Sequence, residues 1–261
     1  MADANCTLEQ HDLRDHYCNL ADRYDHYYLE FEDVQVQSAI ESLDLHPDHV
    51  IVDIGGGTGR FAEKMSKFAR LKNPITCVDP CAEMLEKAKE REGIIPVLKT
   101  GEEFFKDALP PGSFDRVLFK YSVHHLLDPL PVFKAVERSL CSDGMCLVWI
   151  FRSLSCYKLF RQATGIPEQN SPEKIQEICK LLEEVNFEVQ TSEMKYKCGF
   201  TKSKFYSMLR GRFMSPMYKM TYQEIEKGIE SLERGELGLL KDNEIIETVL
   251  VNCAIKAKKI Q

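Results

Sequence analysis

From His49 onward the chain alternates between short apolar, β-branched runs and longer stretches whose apolar residues recur three and four apart. HVIVDI (49–54) is followed by RFAEKMSKFARL (60–71), where Phe61, Ala62, Met65, Phe68 and Ala69 share one helical face. PITCVD (74–79) leads through Asp79-Pro80, a cap and first turn, into CAEMLEKAKER (81–91). IIPVLKT (94–100) and DRVLFKY (115–121) read as strands three and four, and Asp128-Pro129 opens a helix through Leu140. Gly144 marks the turn into a fifth strand, MCLVWIF (145–151). Ser171-Pro172 starts a helix with Ile175, Ile178, Leu181, Leu182 and Val185 on one side, and FEVQTSEMKY (187–196) and IIETVLVNCAIKA (245–257) supply two late strands. This rhythm predicts an α/β fold with a doubly wound, mostly parallel sheet of seven strands and helices on both faces. Ligands of such sheets bind along the edge formed by the strand C-termini. The glycines after the first strand, Asp79, Lys99 to Glu103 and Lys120 to His125 all fall on that edge.

Two segments break the rhythm. Residues 7–45 read as helical, with aromatic and acidic residues mixed, and 201–243 is helical, aromatic and methionine-rich between the last two strands. We expect four parts: an N-terminal helical lid (1–45), the α/β core (46–200), a helical substrate cap (201–243), and a final strand with its tail (244–261).

Composition narrows the partners. The 261 residues carry a formal net charge of −7, without the basic stripe that phosphate neutralisation demands, so a small molecule is expected rather than nucleic acid. No apolar run is long enough to span a membrane, and the start lacks a signal-peptide pattern, so a cytoplasmic protein is expected. The ten cysteines form no C-x-x-C pair and several sit inside apolar runs, so no metal site or disulfide framework is expected and reduced thiols pack as small hydrophobes.

The candidate chemistry begins at VIVDIGGGTGRFAEKM (50–65). A phosphate loop is excluded because Gly59 is followed by Arg-Phe. Gly57-Thr-Gly59-Arg-Phe-Ala62 satisfies a dinucleotide pattern, G-x-G-x-x-A, with Asp79 twenty residues beyond Gly59. The longer pattern D-x-G-x-G-x-G, Asp53 to Gly59, places an acid at the mouth of the loop, which suits an ammonium and repels a pyrophosphate. Here the sequence resembles the class I S-adenosylmethionine-dependent methyltransferases, in the branch acting on small molecules (methyltransferase type 11-like). VDPCAEMLEKAKE, LKTGEEFF, the run through SVHHL to CLVWI, and the aromatic HYCNLADRYDHYY extend the resemblance, well over 50–150 and loosely over 11–28.

The resemblance implies a Rossmann-like sheet with an antiparallel last strand and S-adenosylmethionine as cofactor. It implies Asp53 and the glycines Gly55 and Gly57 at the methionine moiety, and Asp79 at the ribose hydroxyls. Pro80, Cys81 and Met84 then flank the adenine, with Gly101 and Glu102 at its amino group. A lysine, Lys120, at the end of the fourth strand departs from the branch; we place it among the cofactor contacts, and its charge suits a structural or substrate contact better than a base. Tyr17 and Tyr24 either face the cofactor cation or pack a lid helix. His124 either acts as base or substrate contact, or packs its turn, and at most one of His124 and His125 faces the substrate. Arg210 and Arg212 either recognise a carboxylate or phosphate, or form a solvated helix face. The function expected is O- or N-methylation of a small metabolite, anionic if the arginines recognise it, by a monomer or homodimer. A non-catalytic S-adenosylmethionine-binding protein and a nicotinamide-dependent oxidoreductase are the alternatives, and the latter lacks a Tyr-x-x-x-Lys pair. A soft-metalloid methyltransferase with cysteine ligands is a subsidiary case, disfavoured because no cysteine pair is evident.

Overall fold

The computed structural model describes residues 2–106, 109–168 and 170–260, with side chains from Leu13 onward; Cys6, counted among the ten cysteines, lies outside the described side chains. The N-terminal stretch is two helices, α1 (Ala2–Asp33) and α2 (Val36–Ser42), broken at Val34 and Gln35. The alternation then runs β1 (Ile51–Ile54), α3 (Arg60–Ala69), β2 (Ile75–Asp79), α4 (Ala82–Lys89), β3 (Ile94–Leu98), α5 (Gly101–Lys106) and β4 (Phe114–Lys120). It continues with α6 (Pro129–Ser139), β5 (Leu140–Leu154), α7 (Ser155–Thr164), α8 (Pro172–Glu184), β6 (Phe187–Thr201), α9 (Lys202–Arg210), α10 (Tyr222–Glu233) and β7 (Ile245–Lys259). Short 3-10 turns occupy Val123–His125, Ser215–Met217 and Glu236–Leu239.

The seven strands form one sheet in the order β3-β2-β1-β4-β5-β7-β6. The first five are parallel to their neighbours, and β7 runs antiparallel between β5 and β6. The Rossmann-like architecture with an antiparallel last strand is therefore present. β1 is buried along its whole length, as a central parallel strand must be when helices cover both faces. Alternate residues serve the two faces. Val117, Phe119, Cys146, Val148 and Ile150 face α5, α6 and α8, whereas Leu118, Leu147 and Trp149 face α2 and α3. Local chemistry fixes the helix starts: Asp128 caps α6 ahead of Pro129, Thr201 caps α9, and Thr221 with Glu224 closes a capping box on α10.

The turn expected at Gly144 lies inside β5. Pairing with β4 jumps from Phe114–Leu140 to Arg116–Met145, so the extra residues of β5 bulge out there. β5, β6 and β7 also run further than their apolar patterns suggest, to 15 residues each. The surplus overhangs the C-terminal edge of the shorter strands, with β6 and β7 paired as far as Thr201–Ile245. On this overhang a second apolar core forms. Leu20, Tyr27 and Phe31 of α1 meet Tyr157 and Phe160 of α7, and Phe205, Leu209, Phe213, Met217 and Ile229 of the segment between β6 and β7. No described helix is long and apolar enough to cross a membrane.

Candidate cofactor and substrate site

β1 delivers Asp53 and then a loop in which Gly55, Gly57 and Gly59 all have positive φ (73°, 59° and 69°), a region strained for residues with a Cβ. A Cβ on Gly55 would strike Ser122, whereas around a Cβ on Gly57 no atom lies within 4 Å. Gly55 is thus needed for packing, and Gly57 leaves room for a ligand. The amides of Gly55 and Gly56 donate to Val78 O at 2.7 and 3.2 Å, tying the loop to β2.

Two buried carboxyls flank the loop. Asp79 accepts from the Gly57 amide (2.9 Å) and from the Cys81 amide (2.9 Å), and burial nevertheless pushes its pKa up to about 6. Asp53 is 2% exposed, and its Oδ1 has no hydrogen-bond partner. Burial pushes it up to about 7; the Lys120 ammonium pulls it back, and Asp79 and Glu32 push it further. A buried carboxylate oxygen without a donor, beside an uncrowded glycine, fits a ligand that brings a cation or hydrogen-bond donors. S-adenosylmethionine has both, so these residues fit it.

Helix α1 lies over this edge. Tyr17, Ala21 and Tyr24 pack on Cys81 and Met84. The Tyr17 hydroxyl bonds Ser215, and burial, with Asp79 adding, pushes its pKa up to about 12, so it stays protonated. The Tyr24 ring lies 4.5 Å from Tyr28, whose hydroxyl donates to Phe213 O. Ion pairs fasten the helix to the glycine loop itself. Arg91 holds Asp25 and Glu63 and donates to Thr58 O (2.6 Å), while the Thr58 hydroxyl donates to Asp25 at 2.5 Å. Arg60, directly after Gly59, pairs with the buried Glu32 and with Asp33.

The other sequence candidates are distributed around this centre. Pro80 lines a cavity of about 650 Å³ between α1 and the ends of β2 and β3, together with Cys18, Asn19, Leu98 and Thr100. Gly101 is buried, where a Cβ would press on Ile54 and Leu126 at 3.0 and 3.1 Å. Glu102 accepts from the Leu127 amide at 2.9 Å. The Lys120 ammonium sits 4.0 Å from Glu32 and over the rings of Phe61 (4.5 Å) and Tyr121 (4.4 Å); burial pushes its pKa down. Its positive charge therefore balances Glu32 and Asp53 inside the fold. The rings of His124 and His125 are 4.0 Å apart, but they face differently. His125 meets Tyr17 edge-on at 5.7 Å, and burial pushes it down to about 4. His124 is exposed, and desolvation, with His125 and Lys174, pushes its pKa well down.

Arg210 and Arg212 do come together. They line a cavity of about 550 Å³ with His16, Asn19, Arg23 and Lys219, on the face of α1 next to the one carrying Tyr17. Arg210 donates to both oxygens of Glu226 (2.7 and 3.0 Å), and Arg212 Nε donates to Met220 O at 2.8 Å. Sequence reasoning missed Glu32, Arg91 and Ser215, because a charge or hydroxyl on a polar helix face carries no sign of its distant partner. It also missed a cysteine pair. No C-x-x-C spacing exists, yet the fold brings Cys18 and Cys81 together.

Residues 52–148 match the family model of a methyltransferase domain. The chain is 34% identical over 113 residues to the chloroplastic 2-methyl-6-phytyl-1,4-hydroquinone methyltransferase of Arabidopsis thaliana, covering 42% of this chain and 33% of that one. It is 27% identical over 124 residues to the uncharacterized methyltransferase YcgJ of Bacillus subtilis, covering 46% and 47% of the two chains. The crystal structure of YcgJ superposes with a TM-score of 0.57 at 18% identity, over 87% of this chain and 98% of that one. The phosphoethanolamine N-methyltransferase 2 of Haemonchus contortus, solved with phosphomonomethylethanolamine and S-adenosylhomocysteine, superposes with a TM-score of 0.52 at 17% identity, over 87% and 52%. These superpositions show a shared fold, and the matched stretch spans about a third of the length of the Arabidopsis relative.

Proposed function

We propose that this chain, which belongs to the class I S-adenosylmethionine-dependent methyltransferases, transfers a methyl group to oxygen or nitrogen of a small anionic metabolite. The observation that carries the cofactor assignment is the partnerless Asp53 Oδ1 beside the uncrowded Gly57. When bound, S-adenosylmethionine supplies a methyl group already activated by a positively charged sulfur. The protein has to bind, align and exclude water. Asp53 and Gly57 suit the methionine end, Asp79 the ribose hydroxyls, Pro80 and Met84 the adenine faces, and Gly101 with Glu102 the adenine edge. A cation or hydroxyl donor at Asp53 and Asp79 lowers their raised pKa values and keeps both carboxylates ionised. Tyr17 and Tyr24 close the pocket from α1, with neutral aromatic rings suited to a cation.

An anionic acceptor suits the cavity holding Arg23, Arg210, Arg212 and Lys219, four cationic side chains against one acid, Asp15, in a chain of net charge −7. Arg212 is the stronger candidate for an anionic group, since Arg210 is already bidentate with Glu226. His124, open to solvent, is the histidine available as base or substrate contact. His125 is fixed against Tyr17.

Calorimetric titration with S-adenosylhomocysteine and, separately, NADH tests the cofactor, on wild type and Asp79→Asn. We expect S-adenosylhomocysteine alone to bind, at least about tenfold more weakly in the variant, equivalent to about 1.4 kcal/mol. Turnover is then compared between phosphorylated or carboxylated amines and phenols and their neutral counterparts, with wild type and Arg212→Ala. Binding of NADH, or equal turnover of neutral and anionic acceptors, would overturn the corresponding half of the proposal.

A further inference from the structure

Cys18 lies on α1, one residue past Tyr17, and Cys81 caps the N-terminus of α4, two residues past Asp79. The sequence places them far apart in elements of different kind. In the fold their sulfurs and the Glu83 carboxylate all lie within 4.8 Å of one another. The Cys81 thiol donates to Glu83 Oε2 at 3.3 Å, and the Cys18 thiol shares the same carboxylate. Cys81 is buried and Glu83 exposed, so the group has a dry inner side and an outer side. Cys18 and Glu83 line the cavity of about 650 Å³ beside Pro80, and Cys81 lies between Pro80 and Ala82 of the same lining, which gives an ion a way in. Among the described residues no other group of three or more His, Cys, Asp or Glu side chains converges in this way.

We propose that Cys18, Cys81 and Glu83 form a binding site for a thiophilic divalent cation of the zinc type, which joins helix α1 to the loop after Asp79. Thiolate sulfur and carboxylate oxygen are both ligands such an ion takes, and a site of three protein ligands leaves the fourth position to water. Tetrahedral ligands around zinc stand about 3.8 Å apart when the metal–sulfur bond is about 2.3 Å. The three groups already lie close to that spacing, and Glu83, on the first turn of α4, already turns its carboxylate to both thiols. Without the ion both thiols hold their protons, since burial raises both pKa values and the neighbouring carboxylate adds to the effect. On binding, both protons leave to solvent and the two positive charges of the ion offset the two thiolates. The carboxylate then leaves the group with one negative charge. Because the Cys81 amide donates to Asp79, the ion fixes the segment carrying Tyr17 to the segment carrying the ribose-side carboxylate.

The test uses the reduced, metal-free full chain titrated with Cd²⁺, read by the thiolate-to-cadmium charge-transfer absorption in the ultraviolet, with Zn²⁺ as competitor. We expect saturation near about one ion per chain with roughly two protons released. Cys18→Ser and Cys81→Ser should each abolish the band, Glu83→Gln should weaken binding by about tenfold or more, and Cys179→Ser should leave it unchanged. Amide exchange along α1 should slow on adding Zn²⁺ in wild type but not in Cys18→Ser. Absence of the band in wild type, or its survival in either cysteine variant, overturns the proposal. Should Cys81→Ser fail to fold, the half-buried Cys18 and the exposed Glu83 still decide the matter. The readout is ion binding, so its failure leaves the methyl-transfer reading untouched.

Discussion

Asp53→Asn should make the ligand-free protein more stable at neutral pH while impairing its site. The carboxyl is 2% exposed, one oxygen has no partner, and its pKa rises from 3.8 to about 7. For an acid whose pKa is raised by folding, the folded state holds the proton more tightly than the unfolded chain. The associated stability is present below the unfolded pKa and is lost as pH climbs through the folded one, a window from 3.8 to about 7. At about 1.36 kcal/mol per pKa unit, the loss between about pH 5 and about pH 8 is roughly 2 to 3 kcal/mol from this group. Asparagine has nearly the same shape and cannot ionise, so the variant should keep that increment. Urea unfolding of both proteins at the two pH values measures the difference of differences, which separates Asp53 from the other titrating groups. The variant should gain about 2 kcal/mol or more on wild type at the higher pH and bind S-adenosylhomocysteine at least about tenfold more weakly. Equal pH slopes in the two proteins, or a variant less stable at about pH 8, would refute the claim that a buried carboxylate with a donorless oxygen is held there for a ligand.

Three further outcomes test other parts of the site. Gly57→Ala places a Cβ in space that no atom of the fold occupies, so it should cost only the left-handed strain of about 1 to 2 kcal/mol in thermal unfolding, yet abolish S-adenosylhomocysteine binding in calorimetry. Arg91→Ala removes the bonds to Asp25, Glu63 and Thr58 O; hydrogen exchange across α1 should accelerate, and S-adenosylhomocysteine should bind about tenfold more weakly. His125, pushed down to about 4, should stay neutral, its imidazole carbon shifts flat from about pH 5.5 upward by NMR, so any activity change in the neutral range belongs to other groups.

The parts of the site legible in the sequence are those fixed by one strand and the turn after it. Asp53 with its glycines, and Asp79 with Pro80, lie at strand ends that topology must bring to one edge, so local pattern sufficed. Pairings between distant elements were not legible. Arg91 with Asp25, Tyr28 with Phe213, and Cys18 with Cys81 depend on how α1 is rotated and shifted over the sheet, and no spacing along the chain encodes that. The two histidines fall between these cases. Their turn was legible, but neighbours on a 3-10 turn point about 120° apart, and packing against Tyr17 selects His125. The overhang of β5, β6 and β7 was hidden because its residues alternate as a two-sided ribbon and lack the apolar run of a buried parallel strand.

Helix α1 belongs to two cores, and this decides how the site can open. Its Leu20, Tyr27 and Phe31 are buried with α7 and the segment between β6 and β7. Glu32 at its end is buried against Arg60 and Lys120. Lifting the whole helix would expose large aromatic side chains, at about 1.5 to 3 kcal/mol each, and leave buried charges unpaired. The stretch from Leu13 to Asn19 is different: its described residues are half-buried or exposed, and Tyr17 and Cys18 are the ones that pack on Cys81 and Met84. Passage of a cofactor therefore costs least where the first part of α1 peels from the β2–α4 loop while the part beyond Leu20 stays anchored. Tyr17 and Cys18 are then the latch. A cation held by Cys18, Cys81 and Glu83 would act at the point where the helix is easiest to move, and so where one added bond changes the rate of exchange most.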